Sequence, residues 1–174
     1  MPNLRGTSFN DGPVRNAVRE FFESKFDTLL NETPPDMRVI DLTGKTETFL
    51  GVEVERGGWS GDFWSNEKYS LISGLKFKTI NIPIRKEKYW LKEYYFYGKL
   101  KTNLFYNSNI FVRSNKNFTQ MIVIRPETIR NKKKSIRTKF KPNNSDEVEN
   151  WLSFRRKDVE TYNLINNVWT IEKI

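Results

Sequence analysis

The sequence predicts an α+β fold in which a central mixed sheet is flanked by helices near the two ends of the chain. Three observations carry that expectation: apolar residues recur at helical spacing from Val14 to Leu30, six short strand-like runs lie between Met37 and Ile124, and a second helix start stands at Ser145-Asp146-Glu147. At 174 residues the chain reads as one domain over 1–174, long enough to bury a continuous core and short for two. The 13 Phe, 7 Tyr and 5 Trp supply the large apolar side chains such a core needs.

The first element follows Asn10-Asp11-Gly12-Pro13, which offers cap and first-turn chemistry. Val14, Val18, Phe21, Phe22, Phe26, Leu29 and Leu30 then form one apolar stripe, and Thr33-Pro34-Pro35 ends it. Glu20 falls opposite that stripe and reads as a solvent-facing charge. From Asp36 onward the pattern is that of strands: Met37–Leu42, Thr48–Glu55, Thr79–Ile84, Tyr94–Leu100, Asn109–Arg113 and Gln120–Ile124. Turn residues at Thr43-Gly44-Lys45 and at Ser114–Asn117 predict two hairpins within the sheet.

Gly57–Gly74, rich in Gly, Ser, Asn and Trp, reads as a loop. Its Trp59, Phe63 and Trp64 fit a lid, a base-stacking platform or a satellite cluster that pins the loop. Tyr89, Trp90 and Tyr94–Tyr97 read as core and cross-strand packing, with base stacking as the functional alternative. Arg130–Lys141 carries seven basic residues and no acid, as a loop or arm. Val148, Trp151 and Leu152 form the inward face of the C-terminal helix, and Val168–Ile174 is a closing strand.

Composition removes several chemistries. There is no Cys, which excludes disulfides, thiolate zinc sites and cysteine nucleophiles, and no His, which excludes a Ser-His-Asp arrangement and the usual neutral-pH base. Catalysis must therefore use carboxylates, Lys, Tyr or a hard metal ion held by oxygen. No run approaches the roughly 20 apolar residues of a membrane span, and the first ten residues lack the apolar centre of a secretory signal, so a cytoplasmic protein is expected. A formal charge of +9 points to a polyanion such as nucleic acid.

The segment richest in chemistry is Leu50-Gly51-Val52-Glu53-Val54-Glu55-Arg56. Strand alternation puts Glu53 and Glu55 on one face, roughly 7 Å apart, where a cation such as Mg²⁺ or a neighbouring Lys would relieve their repulsion. A turn at Gly44-Lys45 sets Asp36 opposite Glu53; a later turn brings in Asp41 instead. The bland reading of the pair is the solvent face of an amphipathic strand, with Arg56 and Lys45 as partners.

Pro35-Asp36, a hairpin and then Glu53-Val54-Glu55 resemble the core of the PD-(D/E)XK nuclease superfamily, over about 20 residues, or Asp36–Ile124 if the later strands are counted. The resemblance implies a restriction-endonuclease-like core and metal-dependent hydrolysis of DNA with Mg²⁺ or Mn²⁺. It assigns the metal to Asp36 and Glu53, and positioning of the water or a second ion to Glu55, which stands where the family usually has Lys. Lys86 is the candidate substitute for that Lys, with Arg85 beside it for a phosphate; as an alternative, both mark an ordinary exposed strand end. Arg130, Lys132, Lys133, Lys134, Arg137 and Lys139 are the candidate backbone grip on nucleic acid. Many nucleases act as symmetric pairs, which admits a homodimer. The competing readings are a non-catalytic nucleic-acid-binding protein that uses the tract 130–141, and a structural or assembly protein whose basic residues only solvate it.

Overall fold

A computed structural model describes residues 11–26, 28–31, 38–41, 51–65, 79–102, 109–132, 137–140 and 149–173. The apolar stripe near the N-terminus forms helix α1 (Asp11–Phe26), and Val14, Val18, Phe21 and Phe22 on it are buried. The helix stops earlier than its periodicity predicts. Leu29 and Leu30 belong instead to β1 (Thr28–Asn31), which pairs antiparallel with β2 (Arg38–Asp41). Spacing alone does not separate one more helical turn from a short strand, and here the ladder prevails.

Five strands form the central sheet: β3 (Gly51–Arg56), β7 (Asn109–Ser114), β8 (Gln120–Ile124), β11 (Glu160–Ile165) and β12 (Val168–Ile171), in the order β12-β11-β8-β7-β3. The sheet is mixed, because β3 runs parallel to β7 while the other neighbours are antiparallel. The hairpin expected at Ser114–Asn117 is present and joins β7 to β8. The hairpin expected between Met37–Leu42 and Thr48–Glu55 does not appear among the described residues, where β2 pairs with β1 and β3 with β7; its turn at 43–45 lies outside them. The parallel register sets Val52 against Ile110 and Val54 against Val112, so like faces meet across the ladder.

Alternation along these strands builds two cores. Val52, Ile110, Val112, Met121, Val123 and Tyr162 face α1 and close around Val14, Val18, Phe21 and Phe22. Full burial of each such side chain contributes about 1.5–3 kcal/mol. Phe111, Ile122 and Ile124 face the other way. They meet a second sheet of three strands, β4 (Thr79–Pro83), β10 (Glu149–Arg155) and β9 (Arg137–Phe140), ordered β4-β10-β9. Helix α2 (Pro126–Lys132) adds Ile129 to this core. The layers are therefore helix, five-stranded sheet, and three-stranded sheet with a short helix. Strand β8 is buried on both faces along its whole length, which explains its unbroken apolar run Met121–Ile124.

The C-terminal helix predicted from Val148, Trp151 and Leu152 is replaced by β10, in which Leu152 and Phe154 at two-residue spacing are both fully buried. Ser145–Val148 lies outside the described residues. The basic tract is not one arm either. Arg130 and Lys132 end α2, Arg137 and Lys139 lie in the edge strand β9, and Lys133 and Lys134 fall outside the described residues. Among the described residues no helix is long and apolar enough to cross a membrane.

The described part of the Trp-rich loop, residues 57–65, is pinned rather than free. Trp59 and Phe63 are buried in the second core with Trp64 packed against it, so of the three readings of this trio the structure has the cluster that fastens the loop. Gln120, 1% exposed, holds it with both ends of its amide. Its carbonyl oxygen accepts from Trp59 Nε1 at 3.0 Å and from the Phe63 backbone at 2.9 Å, and its nitrogen donates to Asp62 and Asn163, both at 2.8 Å. Gly57 is required at the loop's root, since a Cβ there would lie 1.7 Å from the Trp59 ring.

Candidate functional site

On β3 the residues that face α1 are valines, so Glu53 and Glu55 point toward the three-stranded sheet. That face is covered, contrary to the solvent-face reading: the Glu53 side chain is 7% exposed and Glu55 21%. Arg56 leaves this cluster altogether, donating to the Lys116 carbonyl at 3.0 Å and stacking over Phe118.

Two cations meet the acidic pair. Pro83 ends β4, and the chain turns at once into a 3-10 helix, Ile84–Tyr89, that carries Lys86. The helix is fixed from its far end. Trp90, 1% exposed, donates from Nε1 to the Asn109 carbonyl at 2.9 Å, and the Asn109 amide returns a bond to the Tyr89 carbonyl at 2.7 Å. Lys86 Nζ thereby reaches Glu53 Oε1 at 2.8 Å and Glu55 Oε1 at 2.7 Å. Lys86 is thus no exposed strand end; its side chain is 17% exposed.

Arg113 supplies the second cation. It sits directly across the parallel ladder from Glu55, and its Nε donates to Glu55 Oε2 at 2.9 Å while Nη2 bonds both the same oxygen and, at 2.7 Å, the Asn81 carbonyl of β4. Sequence reasoning missed Arg113. Its signal was a lone charge two residues beyond Phe111, on the same strand face and directly after the apolar run Ile110–Val112.

Electrostatics follow from this packing. Burial opposes ionisation of Glu55, yet the charges and hydrogen bonds of Arg113 and Lys86 outweigh it and hold the carboxyl at about 2. Burial likewise works against a charged Lys86, and the two carboxylates reverse it, so its pKa lies above the ordinary lysine value. Lys86 is therefore a fixed ammonium rather than a neutral-pH base.

The remaining predicted residues are distributed as follows. Asp36 lies outside the described residues, and Asp41 closes β2 opposite Thr28. Arg85 is on the 3-10 helix next to Lys86. Lys132 turns to Asp158, 3.6 Å away, and lies over the Phe154 ring. Among the described residues no group of three or more acidic side chains is gathered to hold a metal. The two that do converge suit a hard cation in kind: both are oxygen donors on one face of one strand, and Mg²⁺ commonly takes one or two carboxylates and completes its shell with water and substrate phosphate. The ammonium of Lys86 shows that a positive charge is accommodated beside both of them. No family model, curated protein or solved structure matches the chain.

Proposed function

We propose that the chain is a Mg²⁺- or Mn²⁺-dependent phosphodiesterase acting on DNA, built on a restriction-endonuclease-like core in which Glu55 replaces the usual Lys and Lys86 restores the cation from another element. The observation that carries this reading is the Lys86 ammonium between the carboxylates of buried Glu53 and half-buried Glu55, 33 and 31 residues away in sequence. The resemblance in Pro35-Asp36 and Glu53-Val54-Glu55 supplies the rest.

Glu53 would hold the ion, with Asp36 as the second donor. A Mg²⁺ or Mn²⁺ held there would supply Lewis-acid chemistry, activating water and offsetting negative charge on the phosphate. Lys86, kept protonated, orients the water or the phosphate oxygen through its N–H donors and adds electrostatic stabilisation. Arg113 fixes the Glu55 carboxylate, so Glu55 is positioned before substrate arrives. Arg85 and the tract 130–141 would grip phosphates without reading bases.

One observation favours a second reading, a nucleic-acid-binding protein without catalysis: both Glu55 oxygens are already satisfied by Lys86 and Arg113, as in an ion-pair network whose task is structural. Incubation of supercoiled plasmid with Mg²⁺, with Mn²⁺ and with EDTA separates the two. Metal-dependent nicking that Glu53→Gln abolishes is the expected result; salt-sensitive DNA binding with no cutting in any metal favours the binder.

A further inference from the structure

Beyond the 3-10 helix the chain makes a hairpin, β5 (Glu93–Phe96) and β6 (Lys99–Thr102), and β7 then opens with Asn109. Asn109 is 2% exposed, yet its amide is half satisfied. The nitrogen donates to the Tyr89 carbonyl at 2.7 Å, whereas among the described residues nothing donates to Oδ1. Turning the amide over does not help, because it would set Oδ1 against the Tyr89 carbonyl. Trp90 Nε1 is engaged by the Asn109 backbone carbonyl at 2.9 Å. Across the ladder stands Gly51, which has no side chain to offer a donor. A buried carbonyl oxygen without a donor costs its desolvation and calls for an explanation; a bound ion supplies one.

The sheet relates that oxygen to the acidic pair. Alternation puts Asn109, Phe111 and Arg113 on one face of β7, and the parallel register sets them beside Gly51, Glu53 and Glu55 of β3. The bond from the Asn109 amide to Tyr89 places it on the same side as the 3-10 helix that carries Lys86. The two ends of this face differ in charge. Arg113 meets Glu55 at one end, and Lys86 bridges Glu55 to Glu53. Asn109, roughly 13 Å from Arg113 along the strand, closes the other end with a neutral oxygen. A cation reaching Glu53 from the Asn109 end therefore meets an oxygen donor instead of a guanidinium. An amide oxygen is a hard ligand of the kind that Mg²⁺ and Mn²⁺ take.

We propose, resting on the metal-dependent reading of Glu53, that Asn109 Oδ1 is a further oxygen donor for the divalent cation held there. The site then has a neutral ligand from β7 beside the charged ligand from β3. A neutral oxygen suits this place, since Lys86 and Arg113 already compete for the acidic charge while an amide oxygen adds a donor to the ion without adding charge. The same amide couples the ion to the lysine. Its nitrogen holds the Tyr89 carbonyl at the end of the Lys86 helix, so one side chain positions both the cation and the ammonium.

Titration of the full chain with MnCl₂, followed by loss of the free-ion electron paramagnetic resonance signal, reads binding without cleavage. Asn109→Leu and Asn109→Asp both remove the bond to Tyr89, but only Asp keeps an oxygen at the ligand position. The expected result is affinity weakened about 10- to 100-fold in Asn109→Leu and equal to or tighter than wild type in Asn109→Asp. Mn²⁺ should also raise the Tm of Asn109→Asp at least as much as that of wild type, a readout that holds even where Asn109→Leu fails to fold. TbCl₃ excited through tryptophan locates the ion, because Trp90 is bonded to the Asn109 carbonyl; its emission should fall in Trp90→Phe. Affinity unchanged in both Asn109 variants, an equal loss in both, or terbium emission indifferent to Trp90 would each overturn the proposal, the second assigning Asn109 to holding the helix alone. Wild type that binds neither ion would overturn it together with the metal-dependent reading. Ion binding that depends on Asn109 in a chain that cuts no DNA would sink only the phosphodiesterase reading.

Discussion

Replacing Lys86 by Met keeps the aliphatic stem and removes the ammonium that bridges Glu53 and Glu55, while Arg113 stays bonded to Glu55. Carboxylates roughly 7 Å apart along a strand repel by about 2 kcal/mol at an effective dielectric of 20. Each also loses a charge-assisted hydrogen bond, worth about 1.5–3 kcal/mol. Relaxation and residual solvent recover part of this, and the net cost is about 3–5 kcal/mol, as expected when one partner leaves a buried ion pair. For a chain of this size that corresponds to a fall in Tm on the order of 10 °C. Urea unfolding followed by tryptophan fluorescence at pH 7.5 measures it. Adding Glu53→Gln to Lys86→Met removes the repulsion and should return about 1–2 kcal/mol, a coupling that a double-mutant cycle reads directly. Lowering the pH to 5 should narrow the gap to wild type, because without the ammonium the carboxylates protonate more easily. A loss below about 1 kcal/mol at pH 7.5, with no coupling to Glu53, would mark an ordinary surface bridge and refute the reasoning.

Two further outcomes concern the fold around the site. Glu55 ionises at about 2 in the folded protein against an ordinary 4.5, so its contribution to stability is complete above pH 4.5 and disappears as the pH falls through about 2. The contribution is about 3 kcal/mol, and the urea midpoint of wild type should drop over that window while that of Glu55→Gln stays flatter; parallel curves would contradict it. Gln120→Leu leaves Trp59 Nε1, the Phe63 N–H, Asp62 and Asn163 without the amide that joins them, and should cost about 3–5 kcal/mol with a change in tryptophan emission. A loss under 1 kcal/mol would mean that water replaces the amide freely.

What was legible in the sequence was local. The α1 stripe, the alternation that separates Val52 and Val54 from Glu53 and Glu55, and the Ser114–Asn117 turn each depend on neighbours within a few residues, and each appears in the structure. Lys86 came into view through the resemblance, as the substitute for the Lys that Glu55 replaces, and its contact with both carboxylates gives the choice a chemical reason. Pairing was not legible. Which strand lies beside β3 depends on a ladder formed with β7, nearly 60 residues later, and no local pattern specifies it. The same gap concealed Arg113, whose role exists only once that parallel register sets it against Glu55. Val148, Trp151 and Leu152 fit a helical template, while Leu152 and Phe154 of β10 fit a strand equally well; burial between the sheets and α2 decided it. The aromatic run at 89–97, read as core, divides instead: Trp90 is buried, whereas Tyr95 and Tyr97 are exposed.

The central claim is that Glu53 and Lys86 act on a phosphodiester, and single-turnover cleavage of DNA in Mg²⁺ by wild type, Glu53→Gln and Lys86→Met tests it most directly, at a temperature where circular dichroism finds all three folded. The account predicts cutting by wild type that EDTA stops and that each variant slows by at least about 100-fold. Absence of metal-dependent cutting in wild type, or variants that cut at the wild-type rate, would contradict it.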